Sequence, residues 1–407
     1  MKVLILNCGS SSIKYQLLKI EEEYSVLAKG QIDRIGTTKS SIVQKVEGKE
    51  TIEVVSFIED HTSGIDLILK LLTDKRQSVL ASLQEIDAVG HRIVHGGEYF
   101  SDSVLIDQDV INKVTELFDL APLHNPANVH GIEAMQRLLP GKPQVGVFDT
   151  AFHQTMPEKA YLYGIPYSLY KKYHIRRYGF HGTSHKYVAE KACEILGWDI
   201  TKKKIITCHL GNGASVTAID KGKSIETSMG FTPNYGLVMG TRSGVVDPGI
   251  IEFLMEQEKL PLNEVVELLN KKSGMLGLSD GLSSDMRDLA DAMMAGNKEA
   301  ARALNAYAHR VKHYIGAYAA ELNGCDLVIM TGGIGENNWL VRELCLSNME
   351  YIGITLNKEM NKGLRGRDSK ICTDCSKVQV MIVQTNEELV IAKETVRLVS
   401  NEHFISK

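Results

Sequence analysis

The sequence predicts an α/β protein of two layered domains built on an internal duplication, and three observations carry this. Strand-like runs fill the first part of the chain and then alternate with helical ones, the pattern of a sheet covered by helices. A strand, a polar glycine turn and a second strand occupy Lys2 to Tyr15, and the same plan returns at Lys204 to Ile219. The chain is 407 residues long, beyond the roughly 250–300 residues at which one hydrophobic core stops growing.

Taken in order, strands are expected at 3–8, 13–19, 25–33, 42–47 and 51–56, the later ones parted by glycine or charged turns. Apolar spacing predicts helices at 62–79 and 107–119 around a strand at 86–94 that ends in His91-Arg92-Ile-Val-His95-Gly-Gly-Glu98. Val145-Gly-Val-Phe148 reads as a further strand leading to Asp149. In Tyr178-Gly-Phe-His181-Gly-Thr-Ser184-His185, Ser184 is the expected cap of a helix to residue 196. Near 200 the plan restarts: aligning Gly9 with Gly211 pairs Asn7 with His209 and Ser10 with Asn212. An alanine-rich segment, 298–323, carries Tyr307, Val311, Ile315 and Tyr318 at helical spacing and reads as a buried or interface helix. A third turn, Thr331-Gly-Gly-Ile-Gly-Glu-Asn337, precedes a helix at 338–347. The last helix opens at Thr385-Asn-Glu-Glu388, a capping box with Thr385 at the cap and Glu388 reaching back, which leaves Glu387 free.

Composition narrows the partners. The 46 basic residues nearly balance 50 acidic ones, so nothing calls for nucleic acid or a membrane surface, and any anion site must be local. No run nears the ~18 apolar residues of a membrane span. Seven scattered cysteines, an odd number, suit a reducing cytoplasm. Cys372 and Cys375 have half the spacing of a zinc site with no second pair nearby.

The first turn, Asn7-Cys-Gly-Ser-Ser-Ser-Ile-Lys14, can hold a phosphate: Gly9 admits the backbone, the serines offer hydroxyls and amides, and Lys14 supplies charge. A serine-rich hairpin turn would look the same. Common phosphate signatures are missing. Gly222-Lys223-Ser224 resembles the end of a P-loop, but Thr217 stands where the first glycine is required. What remains is a set of charged residues among small ones: Arg92, Asp149, His181 and Arg242, the last in Gly-Thr-Arg242-Ser-Gly244. Two arginine forks, a carboxylate and a histidine suit in-line phosphoryl transfer to a small anion, in which the protein positions groups and neutralises charge. A carboxylate acceptor needs no base to deprotonate it. A hydrolase using His181 and Asp149, and a nucleotide-gated binding module, are the competing readings.

These stretches, together with Val147-Phe-Asp-Thr-Ala-Phe-His-Gln-Thr-Met-Pro157 and His209-Leu-Gly-Asn-Gly-Ala-Ser215, resemble the acetate, propionate and butyrate kinase family of the sugar kinase, Hsp70 and actin superfamily. The resemblance spans nearly the whole chain. It implies a duplicated actin-like ATPase fold of the ribonuclease H type, with residues 1–149 plus 386–407 in one domain, 150–385 in another that binds nucleotide and dimerises, and an active-site cleft between them. It further implies that Asp149, His181 and Arg242 are catalytic and that Arg92 binds the acyl substrate, with Val94, Leu123, Phe180 and Pro233 lining the acyl pocket. Nucleotide contacts are expected from Ser10, Ser12 and Lys14, from His209, Leu210, Gly211, Asn212 and Gly213, from Asp285, Met286 and Arg287, and from Gly333, Ile334, Gly335, Glu336 and Asn337. Asn7 and Glu387 are expected to place Mg²⁺, with Mn²⁺ as the alternative, and ATP or ADP is the co-substrate. Acetate and acetyl phosphate are the expected acyl partners, propionate or butyrate the alternative acids, and a cytoplasmic homodimer the expected assembly. Two departures stand out: Val245 follows Gly244 where the family usually has Asp or Asn, and Cys8 sits where Ala is also common.

Overall fold

The computed structural model describes residues 1–21, 24–77 and 79–405. The chain divides into two compact units, Met1–Ala151 with Asn386–Lys407, and Phe152–Thr385; residues 406 and 407 lie outside the described residues.

The first unit carries eight strands: β1 Lys2–Cys8, β2 Ser12–Ile20, β3 Tyr24–Asp33, β4 Ser41–Lys45, β5 Ile52–Val55, β6 Ala88–Ile93, β7 Val104–Leu105 and β8 Gln144–Phe148. They form one sheet in the order β5-β4-β3-β2-β1-β6-β8-β7, with β1, β6 and β8 parallel. Both faces are covered, which is why β1 is apolar at consecutive positions. Leu4 and Leu6 face a core shared with Ile65, Ile68 and Met135, from helices His61–Leu72 and Asn125–Leu138. Val3 and Ile5 face the other way, onto Ile391 and Val399 of the helix Glu387–Ile405.

The second unit repeats the plan with β9 Lys204–Leu210, β10 Ala214–Asp220, β11 Lys223–Thr227, β12 Leu327–Thr331, β13 Ser369–Lys370 and β14 Gln379–Ile382. Its order, β11-β10-β9-β12-β14-β13, matches β3-β2-β1-β6-β8-β7 strand for strand, including the antiparallel edge pair. The likeness reaches single hydrogen bonds. The Lys2 amide donates to Asp87 Oδ2 at 2.7 Å and the Lys204 amide to Asp326 Oδ2 at 2.9 Å, each aspartate standing just before the central parallel strand. The helix Gly182–Leu196 covers one face of this sheet through Val188, Ala189 and Ala192. The helix Lys298–Glu321 is buried along Ala303, Leu304, Tyr307, Val311 and Ile315.

Local differences from the sequence reading have local causes. The helix expected over 62–79 ends at Leu72, because Thr73 bonds back to the Leu69 carbonyl and Asp74 then takes the Arg76 amide into a turn; Ser78 lies outside the described residues. Thr385 does not cap the last helix, since its amide donates to Glu336 Oε1 and its hydroxyl pairs with Ser184. Asn386 is the cap instead, accepting from the Leu389 amide at 3.0 Å. Ser184 likewise lies inside its helix, whose cap position is taken by His181. Among the described residues no helix is long and apolar enough to cross a membrane.

Candidate functional site

In the first unit Arg92 projects from the end of β6 and meets Asp149, the residue that follows β8. Parallel pairing of these strands brings together two residues 57 positions apart. The pair is bidentate: Nε donates to Oδ1 at 3.0 Å and Nη2 to Oδ2 at 2.5 Å, while Nη1 has a longer bond of 3.3 Å to Asn7 Oδ1. Asp149 is 1% exposed. Glu387, in the first turn of the last helix, lies 3.9 Å from Arg92 Nε. Burial pushes the Glu387 carboxyl up to about 7, Asp149 and Glu388 adding repulsion against the pull of Arg92 and Lys14. Burial works against the charge of Arg92, yet Asp149 and Glu387 hold its pKa above the ordinary value. A divalent cation would relieve the same carboxylate repulsion. The donors Asn7 Oδ1 and Glu387 are hard oxygens of the kind Mg²⁺ takes alongside water, so these residues fit it. Among the described residues no group of three or more His, Cys, Asp or Glu is arranged to hold a metal.

The polar turn after β1 is closed by the Gly9 amide on the Ser12 carbonyl, and His61 Nε2 lies 2.7 Å from the Gly9 carbonyl. Ser10 and Lys14 are exposed, and Ser12 is half-buried. Two buried asparagines that the sequence reading missed brace this region. Asn128 donates to the Cys8 carbonyl and accepts from the Val94 amide; Asn125 accepts from the His95 amide and donates to its carbonyl. Val94 is buried, whereas Leu123, a proposed pocket partner, is 69% exposed.

In the second unit His181 adopts left-handed backbone angles (φ 58°), uncommon for a residue with a side chain, which aim its ring toward the turn between β9 and β10. Its Nδ1 lies 2.8 Å from Ser215 Oγ, and the same hydroxyl is 2.7 Å from Nε2 of the buried His185. Burial holds His185 well below the ordinary histidine range, so it is neutral. His209 stacks on His181 with ring centroids 4.3 Å apart and pairs with Ser184 Oγ. Gly213 is the meeting point. A Cβ there would stand 3.4 Å from His181 Nε2 and 3.6 Å from Arg242 Nη1, so both side chains flank this glycine. Arg242 donates to the Pro233 carbonyl at 3.2 Å, and burial lowers its pKa. Phe180 is buried, and its carbonyl lies 2.9 Å from His153 Nε2.

Next to Gly213 in the chain, Gly211 and Asn212 enter the wall of a cavity of about 720 Å³, within the size range of small-molecule sites. Asp285, Met286, Arg287, Gly333, Ile334 and Asn337 also line it, as do Ser284, Asn338 and Arg365, which the sequence reading missed. Asp285 caps the helix Met286–Met294 and pairs with Arg287. Glu336 does not line this cavity; it accepts from the Gly332 and Thr385 amides and so ties the third turn to the segment after β14. Leu210 and Gly335 are buried framework positions. Cys372 is buried and takes the Val380 amide, while Cys375 is exposed.

The sequence model of the Acetokinase family matches residues 2–393. The chain is 56% identical over 400 residues to an acetate kinase of Caldanaerobacter subterraneus subsp. tengcongensis, covering 98% of this chain and 99% of that one. The crystal structure of Porphyromonas gingivalis acetate kinase superposes with a TM-score of 0.94 at 50% identity, over 98% of this chain and 99% of that one. A propionate kinase structure from Francisella tularensis gives 0.90 at 41% identity with the same coverage. With the duplicated sheet, the paired Arg92 and Asp149, and the likeness running from end to end, the chain belongs to the Acetokinase family.

Proposed function

We propose that the protein is an acetate kinase, transferring the terminal phosphoryl group of ATP reversibly to acetate by direct in-line displacement, to give acetyl phosphate and ADP. The observation that carries this reading is the convergence of His181 and Arg242 on Gly213, beside chain neighbours that line a cavity of nucleotide size. The full-length likeness to proteins named acetate kinase supports the same choice of acid.

Arg92 binds the carboxylate. Two of its nitrogens are held by Asp149, and Nη1, which among the described residues has just the longer bond to Asn7, is the donor most readily given to a small anion. Asp149 thus fixes the fork that orients the acceptor, and the carboxylate attacks phosphorus without a base. As the bond to ADP breaks, charge spreads over the transferring oxygens, and His181 and Arg242 supply hydrogen bonds and positive charge where it grows. The Ser215 bridge and the stack on His209 hold the His181 ring for that task. Bound at Asn7 and Glu387, Mg²⁺ would neutralise charge on the nucleotide phosphates. Asn212, Asp285, Arg287, Ile334 and Asn337 take the nucleotide. A cytoplasmic homodimer formed mainly by the second unit completes the reading, supported by the exposed Phe253, Leu262 and Val266 of its helices Pro248–Gln257 and Leu262–Glu267.

The test is formation of acetyl phosphate, trapped as the hydroxamate, from ATP, Mg²⁺ and acetate, with kcat/KM compared along acetate, propionate and butyrate. Acetate is expected to lead, with propionate slower, since one methylene in a small pocket is worth ~1–3 kcal/mol. No acyl phosphate from acetate, or a preference for butyrate, would overturn the assignment.

A further inference from the structure

Arg342 is fully buried, yet among the described residues no carboxylate answers its charge. Its four hydrogen bonds go to Asn361 Oδ1 at 2.7 Å, to the Gly335 carbonyl at 3.0 Å, and to the Asn361 and Leu364 carbonyls at 2.9 Å each. One guanidinium therefore ties the Gly332–Asn337 turn to the segment that follows the helix Lys358–Gly363. The next residue after Leu364 is Arg365. On its far side the Gly366 amide donates to the Glu336 carbonyl at 3.3 Å, so the backbone is pinned on both flanks. Arg365 itself is exposed on the cavity wall, and among the described residues its guanidinium has no hydrogen bond or ion pair.

We propose that Arg365 is a nucleotide-binding residue whose guanidinium plane lies against the purine base. The inference rests on the reading of the cavity as the nucleotide site and deepens it. The transferred phosphoryl group must reach His181 and Arg242 at Gly213, so Gly211 and Asn212 mark the phosphate end of the cavity. Arg365 comes from a different segment, as does Arg287. Among the described residues no aromatic side chain lines this cavity, which leaves a flat base to be held between aliphatic groups such as Ile334 and Met286 and the planes of guanidinium groups.

Full-length wild-type and Arg365→Ala proteins are to be titrated calorimetrically with ATP, ADP and adenosine, alongside steady-state kinetics. All three ligands are expected to bind about tenfold more weakly to the variant. KM for ATP should rise by the same factor, with kcat and KM for acetate within about twofold of wild type. Arg365→Lys, which keeps the charge but loses the plane, should regain little. Unaltered binding of all three ligands overturns the proposal. A loss confined to ATP and ADP, or full recovery by lysine, would assign Arg365 to the phosphates and overturn the base contact. A wild-type protein that binds ATP but does not phosphorylate acetate would remove the acetate reading and leave this inference standing; one that binds no nucleotide overturns both.

Discussion

Arg92 is half-buried and Arg342 fully buried, both in regular elements, and only the first was legible in the sequence. Arg92 stands among glycines and small residues at a strand end, where a long side chain has room for a ligand. Arg342 sits in the helix Trp339–Leu346, where an arginine between apolar positions reads as a solvated face. Its carbonyl partners are backbone atoms, which no residue pattern announces. The consequences of removing these arginines also differ. Arg242→Ala should fold and lose on the order of 10³ in kcat, as for an arginine that stabilises phosphoryl charge; near-normal turnover would refute that role. Arg342→Leu leaves three buried carbonyls and Asn361 unanswered. It should cost on the order of 3 kcal/mol in urea unfolding, with the midpoint shift as the measure.

At the scale of elements, the duplication was legible because each repeat starts with an antiparallel strand pair joined by a glycine-containing turn. The helix Asn125–Leu138 was not, since Asn128, which braces Val94 and Cys8, and Asn125, which braces His95, interrupt its apolar stripe. The last helix was legible, but its cap lies one residue further on, because Thr385 is engaged with Glu336 and Ser184. How closely that helix packs is set by Gly90 on β6. A Cβ there would come within 2.6 Å of Ile391 Cγ2 and Thr395 Oγ1 and 2.9 Å of Ile5 Cδ1. Gly90→Ala should therefore push the helix off the sheet and destabilise the protein by about 1–3 kcal/mol. An unchanged melting temperature would show that the helix can shift without loss.

For the whole molecule, buried histidines set the response to acid. Burial lowers His91 and His153 to about 4 and His95 to about 3, and holds His185 well below the ordinary 6.5. The unfolded chain takes up these protons below about pH 6.5, whereas in the folded chain His91 and His153 wait until about 4, His95 until about 3, and His185 is held well below its ordinary range. Their stabilisation is thus full above about 6.5 and is lost as pH falls through that window. Glu226, Glu336 and Glu387, all raised by burial, act in the opposite sense as pH falls toward 4.5. The fall through the histidine window is the larger effect where the carboxyl shifts are modest, so stability is expected to decline from pH 7 to 4.5. A urea midpoint that stays constant over that range would contradict the neutral burial of the histidines.

The first sheet is covered on one face by Glu387–Ile405, a helix made after every residue of the second unit. During synthesis the order of emergence and the order of completion are therefore reversed. The segment Phe152–Thr385 is continuous and can fold as it leaves the ribosome, whereas the amino-terminal sheet waits roughly 10–50 s after its own last parallel strand for its final layer. In that interval Val3, Ile5, Val145 and Val147 have no helix over them, so the nascent chain, more than the finished enzyme, is the form of this protein that calls for a chaperone.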